Sequence, residues 1–536
     1  MIVIPARGNS KGIPKKNIRR IGDKPLIAYT IEKAIKLKKI NKYIEIDIIV
    51  SSDDKHIEEY VSIYDEVKFI KRPDELAEDD TPLDPVVYHS YKNSYFISKY
   101  DFIITLVPTM PILSYKTMND AIQKFIHDES ESLILVNDAT HIYWQNNEPI
   151  TERKNRQFIE PIYQECGGII ITSESNLRKT RNILTERPYL YVCPPDEAVD
   201  VNNWYDIILA EKLLNRKKIG FRVGGTHKKG MGHVYRCLNL ALRFIEHEIY
   251  FFIEKKDGEA IDAVDSYFFK RIEYDNINDL LIKIDKNNID VIINDTLGIE
   301  KELGEYLRIP IIGLDEKEKK YCDLTINPQI EFSNSDSKNI YGYKYSVIRE
   351  DVLIFPIKKC PLKIDNILIT MGGSDPENVT LKIMNYLKNY KKVNVIIGKY
   401  FSDSNKEKIY EFDKKNNNFN ILNDVKFMGK HLYESDLVIS SNSSTVYDCV
   451  ALGTFVISID KVKQEMHHIF SNVSEAVKYL GYHDEIKENV FLNAVNEFLF
   501  KHDSYHEYYD ALVKYANEIR KGQKIIKDKI NEVIEK

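Results

Sequence analysis

The segment Arg7–Asn17 combines residue types that hold phosphate in proteins. It contains Gly8 and Gly12 and directly follows the apolar run Met1–Ile4. Its cations are Arg7, Lys11, Lys15 and Lys16. A buried strand that ends in such a loop can bind a polyanion, because backbone N–H groups and cationic side chains converge on it. A solvated basic loop is the alternative, but glycines, small polar residues and cations within one loop favour phosphate.

Two further glycine turns follow apolar runs in the second half of the sequence. Gly224–His233 follows Ile219–Val223, and Met371–Pro376 follows Ile367–Thr370. The first turn ends on His233, whose imidazole has a pKa near neutrality and suits proton transfer. Glycines before this histidine allow a tight turn and a close approach of backbone N–H groups to a substrate. A purely structural histidine is the alternative.

Alternating strand and helix patterns must position these segments. In the first third, helical patterns such as Leu26–Leu37 separate short apolar runs. The runs that predict strands are Met1–Pro5, Ile46–Ser51, Phe102–Pro108, Leu133–Val136, Gly168–Ile171 and Tyr189–Val192. This alternation predicts an α/β domain with a mostly parallel sheet. Ligands of such sheets bind beyond the carboxyl ends of the strands, where Arg7–Asn17 would lie.

The chain is predicted to form three domains. The helical pattern Trp204–Leu214 and the polar stretch Asn215–Lys218 end the first domain, residues 1–217. Strand and glycine-turn units restart twice after it, so two α/β lobes are expected, 218–360 and 361–536. Pro356–Pro361 would be the crossover between the lobes, and helices from His502 onward would end the second.

Composition excludes several classes of protein. The 536 residues include 82 acids and 76 bases, a net charge of −6, so no basic field indicates nucleic acid. No apolar run approaches the roughly 20 residues of a membrane span, and no signal peptide is predicted before the first strand. The six cysteines are scattered without a C-x-x-C pair. This pattern argues against zinc and disulfide frameworks and favours a reducing cytoplasm.

The opening residues resemble the CMP-sialic acid synthetases, the acylneuraminate cytidylyltransferases. The resemblance covers about residues 1–215. After the opening loop, its motifs are Lys24–Ile27, Ser51–Asp53, Arg72–Pro73, Glu75–Ala77, Pro108–Thr109, Asn155–Gln157, Gly167–Gly168 and Val199–Asp200. It implies a glycosyltransferase-A-like Rossmannoid nucleotidyltransferase fold and a homodimer. It also implies transfer of CMP from CTP to a nonulosonic acid, with release of pyrophosphate.

The same resemblance implies roles for individual residues. Arg7 and Lys16 would act on the triphosphate as catalytic residues, and Asp200 with Asn202 would hold Mg²⁺. The implied nucleotide contacts are Gly8, Asn9, Ser10, Lys11, Asn17 and Asp84. Arg156 and Gln157 would bind the sugar acid, with a solvated polar turn as the alternative. For Asp200 the alternative is a helix N-cap before Trp204.

Two positions depart from the first family's pattern. The family usually has Asp-x-Asp at the metal site, whereas this chain has Asp200-Val201-Asn202. An asparagine supplies an oxygen without a charge, so we expect weaker or differently arranged metal binding. Val107 stands where the family often has glutamine, which leaves the identity of the sugar acid open.

The second half resembles the UDP-sugar hydrolase of pseudaminic acid biosynthesis, over about residues 219–475. Its motifs are Phe221–Arg222, Gly230–Leu238, Asp323–Leu324, Asn327, Tyr345, Arg349, Asn366–Pro376, Ser444–Thr445, Asp448 and Gln464. The resemblance implies a two-lobed glycosyltransferase-B-like fold that binds a UDP-amino sugar, with His233 as the catalytic residue. The implied substrate contacts are Arg222, Gly230, Gly232, Arg349, Gly372, Gly373, Ser374, Ser444, Thr445, Asp448 and Gln464.

Departures from this second pattern are larger. Gly224 replaces an aspartate, Asn442-Ser443 replaces two glycines, and Asp448 replaces a glutamate. Losing two glycines removes positive-φ freedom from a loop expected to approach phosphate, although asparagine tolerates such conformations. We therefore expect altered specificity, or binding without turnover.

The sequence as a whole indicates a bifunctional enzyme of nonulosonic acid biosynthesis that uses CTP, a nonulosonic acid and a UDP-amino sugar. Three alternatives stay open. The second half could be a UDP-sugar-dependent glycosyltransferase, or a non-catalytic UDP-sugar-binding module. The first domain could instead serve a shorter keto-acid such as KDO.

Overall fold

A computed structural model of the chain describes all residues except 9, 11, 95–99, 226–230, 297, 317–318, 330–337, 424, 501 and 536, and the side chains of 502–507. The chain divides into two units, Met1–Arg216 and Lys217–Lys536. The division falls within the polar stretch that the sequence marks as a linker.

The first unit is built on one seven-stranded sheet with the strand order β11-β7-β10-β6-β1-β4-β5. The unit's strands are β1 Ile2–Pro5, β2 Arg20–Ile21, β3 Lys24–Pro25, β4 Ile48–Ser52, β5 Val67–Lys71, β6 Phe102–Leu106, β7 Ser132–Asp138, β8 Trp144–Gln145, β9 Glu148–Pro149, β10 Tyr163–Ser173 and β11 Tyr189–Val192. Its helices are α1 Leu26–Ile40, α2 Lys55–Val61, α3 Leu83–Lys92, α4 Tyr115–His127, α5 Glu174–Thr180 and α6 Trp204–Leu214.

The sheet of the first unit is mostly parallel, as the sequence predicts. The exception is β10, which runs antiparallel to both of its neighbours. Its register with β7 is irregular between Glu165 and Ile170. Gly167 lies in this bulge with φ +72°, and a Cβ on Gly168 would stand 2.7 Å from side-chain atoms of Met110 and Leu113. Both glycines are therefore required where the strand bends.

One strand of this sheet was not predicted. The edge strand β5 has only partly buried side chains, so its sequence shows no clear apolar run. The other predicted strands are present in the structure, but their first and last residues differ from the prediction. The largest change is in β10, which extends the predicted Gly168–Ile171 to eleven residues.

The first lobe of the second unit has a parallel sheet with the order β14-β13-β12-β15-β16-β17-β18. Its strands are β12 Lys218–Val223, β13 Glu248–Glu254, β14 Lys270–Tyr274, β15 Val291–Asp295, β16 Ile311–Leu314, β17 Leu324–Asn327 and β18 Asn339–Tyr341. The helices are α7 Gly232–Ala241, α8 Gly258–Asp265, α9 Ile277–Lys286 and α10 Lys301–Tyr306. The short helix α11 Glu350–Leu353 follows them in the chain and buries Val352 in the core of the second lobe. The central strand β12 is almost wholly buried, as expected for a strand covered on both faces.

The second lobe has a six-stranded parallel sheet with the order β21-β20-β19-β22-β23-β24. Its strands are β19 Ile367–Thr370, β20 Val393–Ile397, β21 Phe419–Asn423, β22 Leu437–Ser441, β23 Phe455–Asp460 and β24 Lys478–Tyr482. The helices are α12 Val379–Tyr386, α13 Asp403–Asn416, α14 Met428–Glu434, α15 Ser444–Leu452, α16 Phe470–Val473, α17 Glu488–Phe500 and α18 His502–Ile534.

The last helix belongs to both lobes, whereas the sequence assigned it to the second. Leu512 and Ile519 of α18 are buried in the apolar core of the second lobe. Ile526 and Ile530, further along the same helix, are buried in the core of the first lobe. A polar, 33-residue helix is therefore held at both ends by separate hydrophobic cores.

The predicted α/β fold class is confirmed: a domain built on one mostly parallel sheet precedes a two-lobed unit of two parallel sheets. Within the described part of the chain, no helix combines the length and apolarity needed to cross a membrane.

Candidate functional site

The opening loop of the first unit lies against the end of β4. The backbone N–H of Gly8 donates to Oδ1 of Asp53 at 2.9 Å. A Cβ on Gly8 would stand 2.7 Å from Cβ of Asp54, so a side chain has no room there. Asn17 is buried, and its Nδ2 donates to the carbonyl of Arg7 at 2.9 Å. Gly8 and Asn17 therefore shape this loop.

Two guanidinium groups lie near this edge of the sheet. Arg7 Nη1 donates to the carbonyl of Glu78 at 3.3 Å and pairs with Asp79 at 3.0 Å. Arg72 directly follows β5, is 4% exposed, and donates from Nη2 to the carbonyl of Ser51 at 2.8 Å. Burial lowers the pKa of Arg72 to about 10. No role was predicted for Arg72; its position after a strand, at the edge where ligands bind, is the signal for it.

The structure brings together Lys16, Asp200 and Asn202. The Lys16 ammonium donates to the carbonyl of Val201 at 2.8 Å and to Oδ1 of Asn202 at 3.4 Å. Asn202 Nδ2 donates to Oδ2 of Asp200 at 2.7 Å. Burial lowers the pKa of Lys16, and the Asp200 carboxylate opposes that shift. A cation and a carboxylate are thus held side by side beneath the opening loop.

Asp200 is not the N-cap of α6. That position is held by Asn203, whose side chain accepts from the N–H groups of Tyr205 and Asp206. Asp206 in turn accepts from the N–H of Asn203, which completes a capping box. The alternative of a capping aspartate is therefore wrong.

One oxygen of Asp200 is available to a ligand. Oδ1 is buried and has no hydrogen-bond partner among the described residues. The described side chains contain no group of three or more His, Cys, Asp or Glu residues that could hold a metal. Magnesium sites commonly use one or two carboxylates, with waters and substrate phosphates as the other ligands. A free carboxylate oxygen of Asp200 and the amide oxygen of Asn202 fit such a site.

Other predicted residues of the first unit lie apart from this cluster or outside the described residues. Asp84 Oδ1 accepts from the N–H of Ile183 at 2.8 Å. Arg156 and Gln157 are exposed on a short 3₁₀ helix, and Arg156 lies 3.8 Å from Asp138 at the carboxyl end of β7. Ser10 is half-buried. Asn9 and Lys11 are outside the described residues.

In the second unit His233 lies in the first turn of α7, beside the end of β15. Its Nδ1 is 2.7 Å from Oδ1 of Asp295, a fully buried carboxylate. Arg236 donates to both oxygens of Asp295, at 2.6 and 2.8 Å, and also pairs with Asp315. No role was predicted for Asp295, although the polar pair Asn294-Asp295 at the end of the apolar run Val291–Ile293 is a signal for it.

This buried network sets the charge of the histidine. The Asp295 carboxylate raises the pKa of His233 above its ordinary value, and burial opposes that shift. Burial alone would raise the pKa of Asp295, but the Arg236 and His233 charges hold it well below its usual range. An ionised Asp295 accepts a hydrogen bond from Nδ1–H of His233 and leaves Nε2 to exchange a proton with a substrate or water.

His233 lines a cavity of about 370 Å³ at the carboxyl ends of the first lobe's strands. Arg222 also lines it and is paired in a bidentate manner with Glu300, at 2.6 and 2.7 Å. Further donors of Arg222 reach Tyr274 at 3.1 Å and Asn294 at 3.2 Å. Arg222, which was predicted to bind substrate, thus forms part of the cavity wall. Gly232 begins α7, and Gly230 is outside the described residues.

The second lobe places its two predicted phosphate segments on adjacent strands. Gly372–Ser374 follow β19, and Ser444–Thr445 begin α15 after β22, the neighbour of β19. Gly372 has φ +80°, a conformation that favours glycine. Ser443, the N-cap residue, makes no side-chain bond to α15 within the described part of the chain, which leaves the N–H groups of Ser444 and Thr445 for an anion.

Lys461 was not predicted and lies at the same edge, after β23. Its ammonium donates to the carbonyls of Met371 at 2.7 Å and Ser374 at 3.0 Å. A cation is therefore built into the glycine turn that is expected to hold a diphosphate.

The replaced glycines at Asn442 and Ser443 cost no backbone strain. Neither has a positive φ; that of Ser443 is −139°. Asn442 is buried, and its side chain bonds Asp460 at 2.9 Å and Ser471 at 2.7 Å. The predicted loss of positive-φ freedom therefore does not arise at these positions.

Arg349 and Asp448 are brought together, while Gln464 is exposed on a 3₁₀ helix. The N–H of Arg349 donates to Oδ1 of Asp448 at 3.4 Å. Asp448 is 2% exposed, and burial raises its pKa to about 7.

Parts of this chain are similar in sequence to known proteins. Residues 1–157 match the family model of the cytidylyltransferases. The matched residues lie within the first unit, Met1–Arg216. The chain is 26% identical over 227 residues to the pseudaminic acid cytidylyltransferase of Campylobacter jejuni, an alignment that covers 40% of this chain and 95% of that protein.

Two further relatives were found. The UDP-2,4-diacetamido-2,4,6-trideoxy-beta-L-altropyranose hydrolase of Campylobacter jejuni is 26% identical over 261 residues, covering 46% of this chain and 93% of that protein. An uncharacterized protein of Methanocaldococcus jannaschii is 30% identical over 268 residues, which are 45% of this chain and 55% of its own length. The hydrolase alignment exceeds the length of the first unit, Met1–Arg216, and so extends beyond the cytidylyltransferase domain. Both resemblances expected from the sequence are confirmed by these matches.

Proposed function

We propose that the chain is a bifunctional enzyme of nonulosonic acid biosynthesis. Its first unit would transfer CMP from CTP to a nonulosonic acid of the pseudaminic, legionaminic or sialic type. Its second unit would hydrolyse a UDP-linked, acylated amino sugar. The six cysteines are all free, which supports the proposal of a cytoplasmic enzyme.

The juxtaposition of Lys16, Asp200 and Asn202 carries the proposal for the first unit. The anomeric hydroxyl of the sugar acid would attack the α-phosphorus of CTP and lose its proton to solvent, and the bond to pyrophosphate would break. Negative charge builds on phosphate oxygens in that step, so fixed cations stabilise it. Arg7 and Lys16 would face this charge, with Arg72 as a buried cation behind the loop.

Asp200 and Asn202 would hold Mg²⁺ through their side-chain oxygens. When bound, the ion would supply positive charge to the phosphate oxygens. Two contacts within the chain would position these metal ligands. Lys16 fixes the segment that carries both ligands through the Val201 carbonyl, and Asn202 fixes the Asp200 carboxylate through its amide.

The experiment for the first unit uses the full chain with CTP, Mg²⁺ and a panel of keto-acids, with pyrophosphate release and CMP-sugar as readouts. We expect product with at least one nonulosonic acid. Preferred turnover of the eight-carbon KDO would replace the proposed substrate, and no CMP-sugar with any acid would overturn the proposal. Light scattering tests the homodimer that we propose for this enzyme.

The Asp295-oriented His233 beside a cavity carries the proposal for the second unit. His233 would take a proton from water as the water oxygen bonds to the anomeric carbon. The bond between that carbon and the diphosphate oxygen would break, and UDP would leave with the electron pair. The Lys461 ammonium and the open start of α15 would hold the diphosphate.

Product analysis separates hydrolysis from its alternatives. We expect UDP and free sugar from a UDP-amino sugar and water alone. Release that requires an acceptor sugar would favour the glycosyltransferase alternative. Binding of UDP-sugars without any release would favour the binding-module alternative.

A further inference from the structure

Asp257 occupies a helix N-cap position without capping its helix. It directly precedes α8, and an aspartate there ordinarily accepts from the second or third N–H of the helix. The Asp257 side chain makes no such bond. Its Oδ2 instead accepts from the N–H of Gly225 at 3.2 Å. The carboxylate is therefore turned away from α8, towards the end of β12.

The second oxygen of this carboxylate accepts no hydrogen bond from the described residues. Asp257 is 1% exposed, and its Oδ1 is buried without a partner in the described part of the chain. An unpaired buried acceptor destabilises a fold unless a ligand or water satisfies it. The orientation of Asp257 thus calls for a hydrogen-bond donor that the described residues do not supply.

Gly224 provides the space for this arrangement. A Cβ on Gly224 would stand 2.9 Å from Oδ2 of Asp257, closer than ordinary contact. Any larger residue at position 224 would displace the carboxylate. The lack of a side chain at Gly224, just after β12, therefore makes room for the Asp257 carboxylate, which follows the neighbouring strand β13.

Asp257 and His233 line the same cavity. Two other carboxylates at its wall are already neutralised by cations. Glu300 pairs with Arg222, and Glu254 pairs with Lys256. Asp257 has no such ion pair among the residues described. The cavity wall therefore presents one uncompensated acceptor close to the proposed catalytic histidine.

We propose that Oδ1 of Asp257 accepts a hydrogen bond from an N–H or O–H group of the sugar bound beside His233. It thereby selects neutral, donor-rich sugars and rejects sugars that carry a carboxylate, such as uronic acids. A substrate carboxylate would meet a like charge and leave Oδ1 unsatisfied. This inference rests on the proposed UDP-sugar binding by the second unit.

The test is calorimetric binding to the full chain, with UDP, UDP-N-acetylglucosamine and UDP-glucuronic acid as probes. We expect the wild-type protein to prefer the neutral sugar over the uronic acid. Asp257→Asn should weaken binding of the neutral sugar by about tenfold or more, as expected for a lost charged acceptor. The same substitution should also reduce the difference in affinity between the neutral sugar and the uronic acid. It should leave the affinity for UDP itself unchanged.

Two further variants make the test specific. Asp262→Asn removes an exposed carboxylate from the same helix and should leave all three affinities unchanged. Gly224→Ala keeps the charge but displaces the carboxylate, so it should weaken sugar binding as Asp257→Asn does. Thermal melting checks that each variant is folded.

The outcomes distinguish the inference from the function it rests on. Absence of UDP binding by the wild-type protein overturns the proposed function of the second unit, and this inference with it. UDP binding without preference between the two sugars, or a preference unchanged in Asp257→Asn, overturns the inference alone.

Discussion

The Lys16 ammonium donates to the carbonyl of Val201 at 2.8 Å, although the two residues are 185 positions apart in the sequence. This bond joins the opening loop to the segment that carries Asp200 and Asn202. The two segments touch elsewhere as well, because a Cβ on Gly12 would stand 2.4 Å from the Asn202 carbonyl oxygen. The cation and the carboxylate of the candidate site are therefore positioned by one another.

Replacing Lys16 should impair cytidylyl transfer more than replacing its neighbour. Lys16→Gln removes both a charge near the triphosphate and the bond to Val201, so we expect kcat/KM for CTP to fall about 100-fold or more. Lys15 is exposed, and Lys15→Gln is the matched control. Pyrophosphate release at saturating Mg²⁺ measures both variants. Equal losses would show that general basic charge matters and the position of Lys16 does not.

Asn202→Asp should strengthen metal dependence. The substitution creates a pair of carboxylates with Asp200 and removes the amide that donates to it at 2.7 Å. Two adjacent carboxylates repel each other unless a cation lies between them. We expect half-maximal activity at a several-fold lower Mg²⁺ concentration and a lower melting temperature without metal. A Mg²⁺ titration that matches the wild type would remove Asn202 from the metal site.

The sequence located the opening loop and its partners, but it could not show how they bond. Gly8 and Lys16 belong to a loop that glycines and charges after a strand identify locally, whereas Asp200 was named only through the family resemblance. The role of Asn203 as the cap of α6, which leaves Asp200 free, depends on backbone geometry that composition does not reveal. Arg72 was named only as part of a motif, and no role was predicted for it, because it follows an edge strand without an apolar pattern.

Asp295→Asn should move the pH dependence of UDP release. His233 must be neutral to accept a proton, and Asp295 raises its pKa. Removing that charge lowers the pKa of His233, so the acidic limb of the rate profile should shift to lower pH. The maximal rate should fall about 100-fold, because the imidazole loses its orientation. Rates from pH 5 to 9 measure both effects.

His233→Gln is the companion variant. It should abolish UDP release and remove one pH-dependent contribution to stability. A raised histidine pKa stabilises the fold in full below the unfolded value of about 6.5, and that stabilisation is lost as pH rises through the folded value. Melting curves should therefore show a weaker decline with rising pH in His233→Gln. An unmoved acidic limb in Asp295→Asn would contradict this account.

Gly522→Ala should destabilise the second unit, although alanine is the better helix former. An ideal Cβ on Gly522 would lie 1.6 Å from the Lys344 carbonyl oxygen, where α18 passes a 3₁₀ helix of the first lobe. We expect a loss of about 1–3 kcal/mol in the free energy of unfolding and a fall of several degrees in Tm. Lys521→Ala, at an exposed position of the same helix, should change Tm little. An unchanged Tm in Gly522→Ala would contradict this close packing.

The two-lobed architecture could be predicted because each lobe restarts with a strand and a glycine turn. The path of α18 could not, since Leu512 and Ile526 belong to one helical pattern with no sign that they enter different cores. The pairing of His233 with Asp295 was equally hidden, because the two residues are 62 positions apart in sequence. Long-range pairing of charges is the part of a site that local patterns do not encode.

Asp448→Asn should stabilise the second unit at neutral and higher pH. Burial raises the pKa of Asp448 to about 7, from an ordinary value near 3.8. Between those values unfolding releases a proton, so the stability of the wild-type protein falls as pH rises and levels off above about 7. Asparagine does not ionise, and its oxygen can still accept from Arg349. The gain over wild type should therefore be large at pH 8 and small near pH 4.

Urea denaturation at pH 4.5 and pH 8 measures this difference, and Asp403→Asn, on a side chain that is 98% exposed, is the control. If Asp448 also accepts the ribose hydroxyls of UDP, as the resemblance implies, the same substitution should weaken UDP binding while it raises stability. A gain in stability with unchanged UDP affinity would assign Asp448 to the fold alone. Equal stability of variant and wild type at both pH values would contradict the raised pKa.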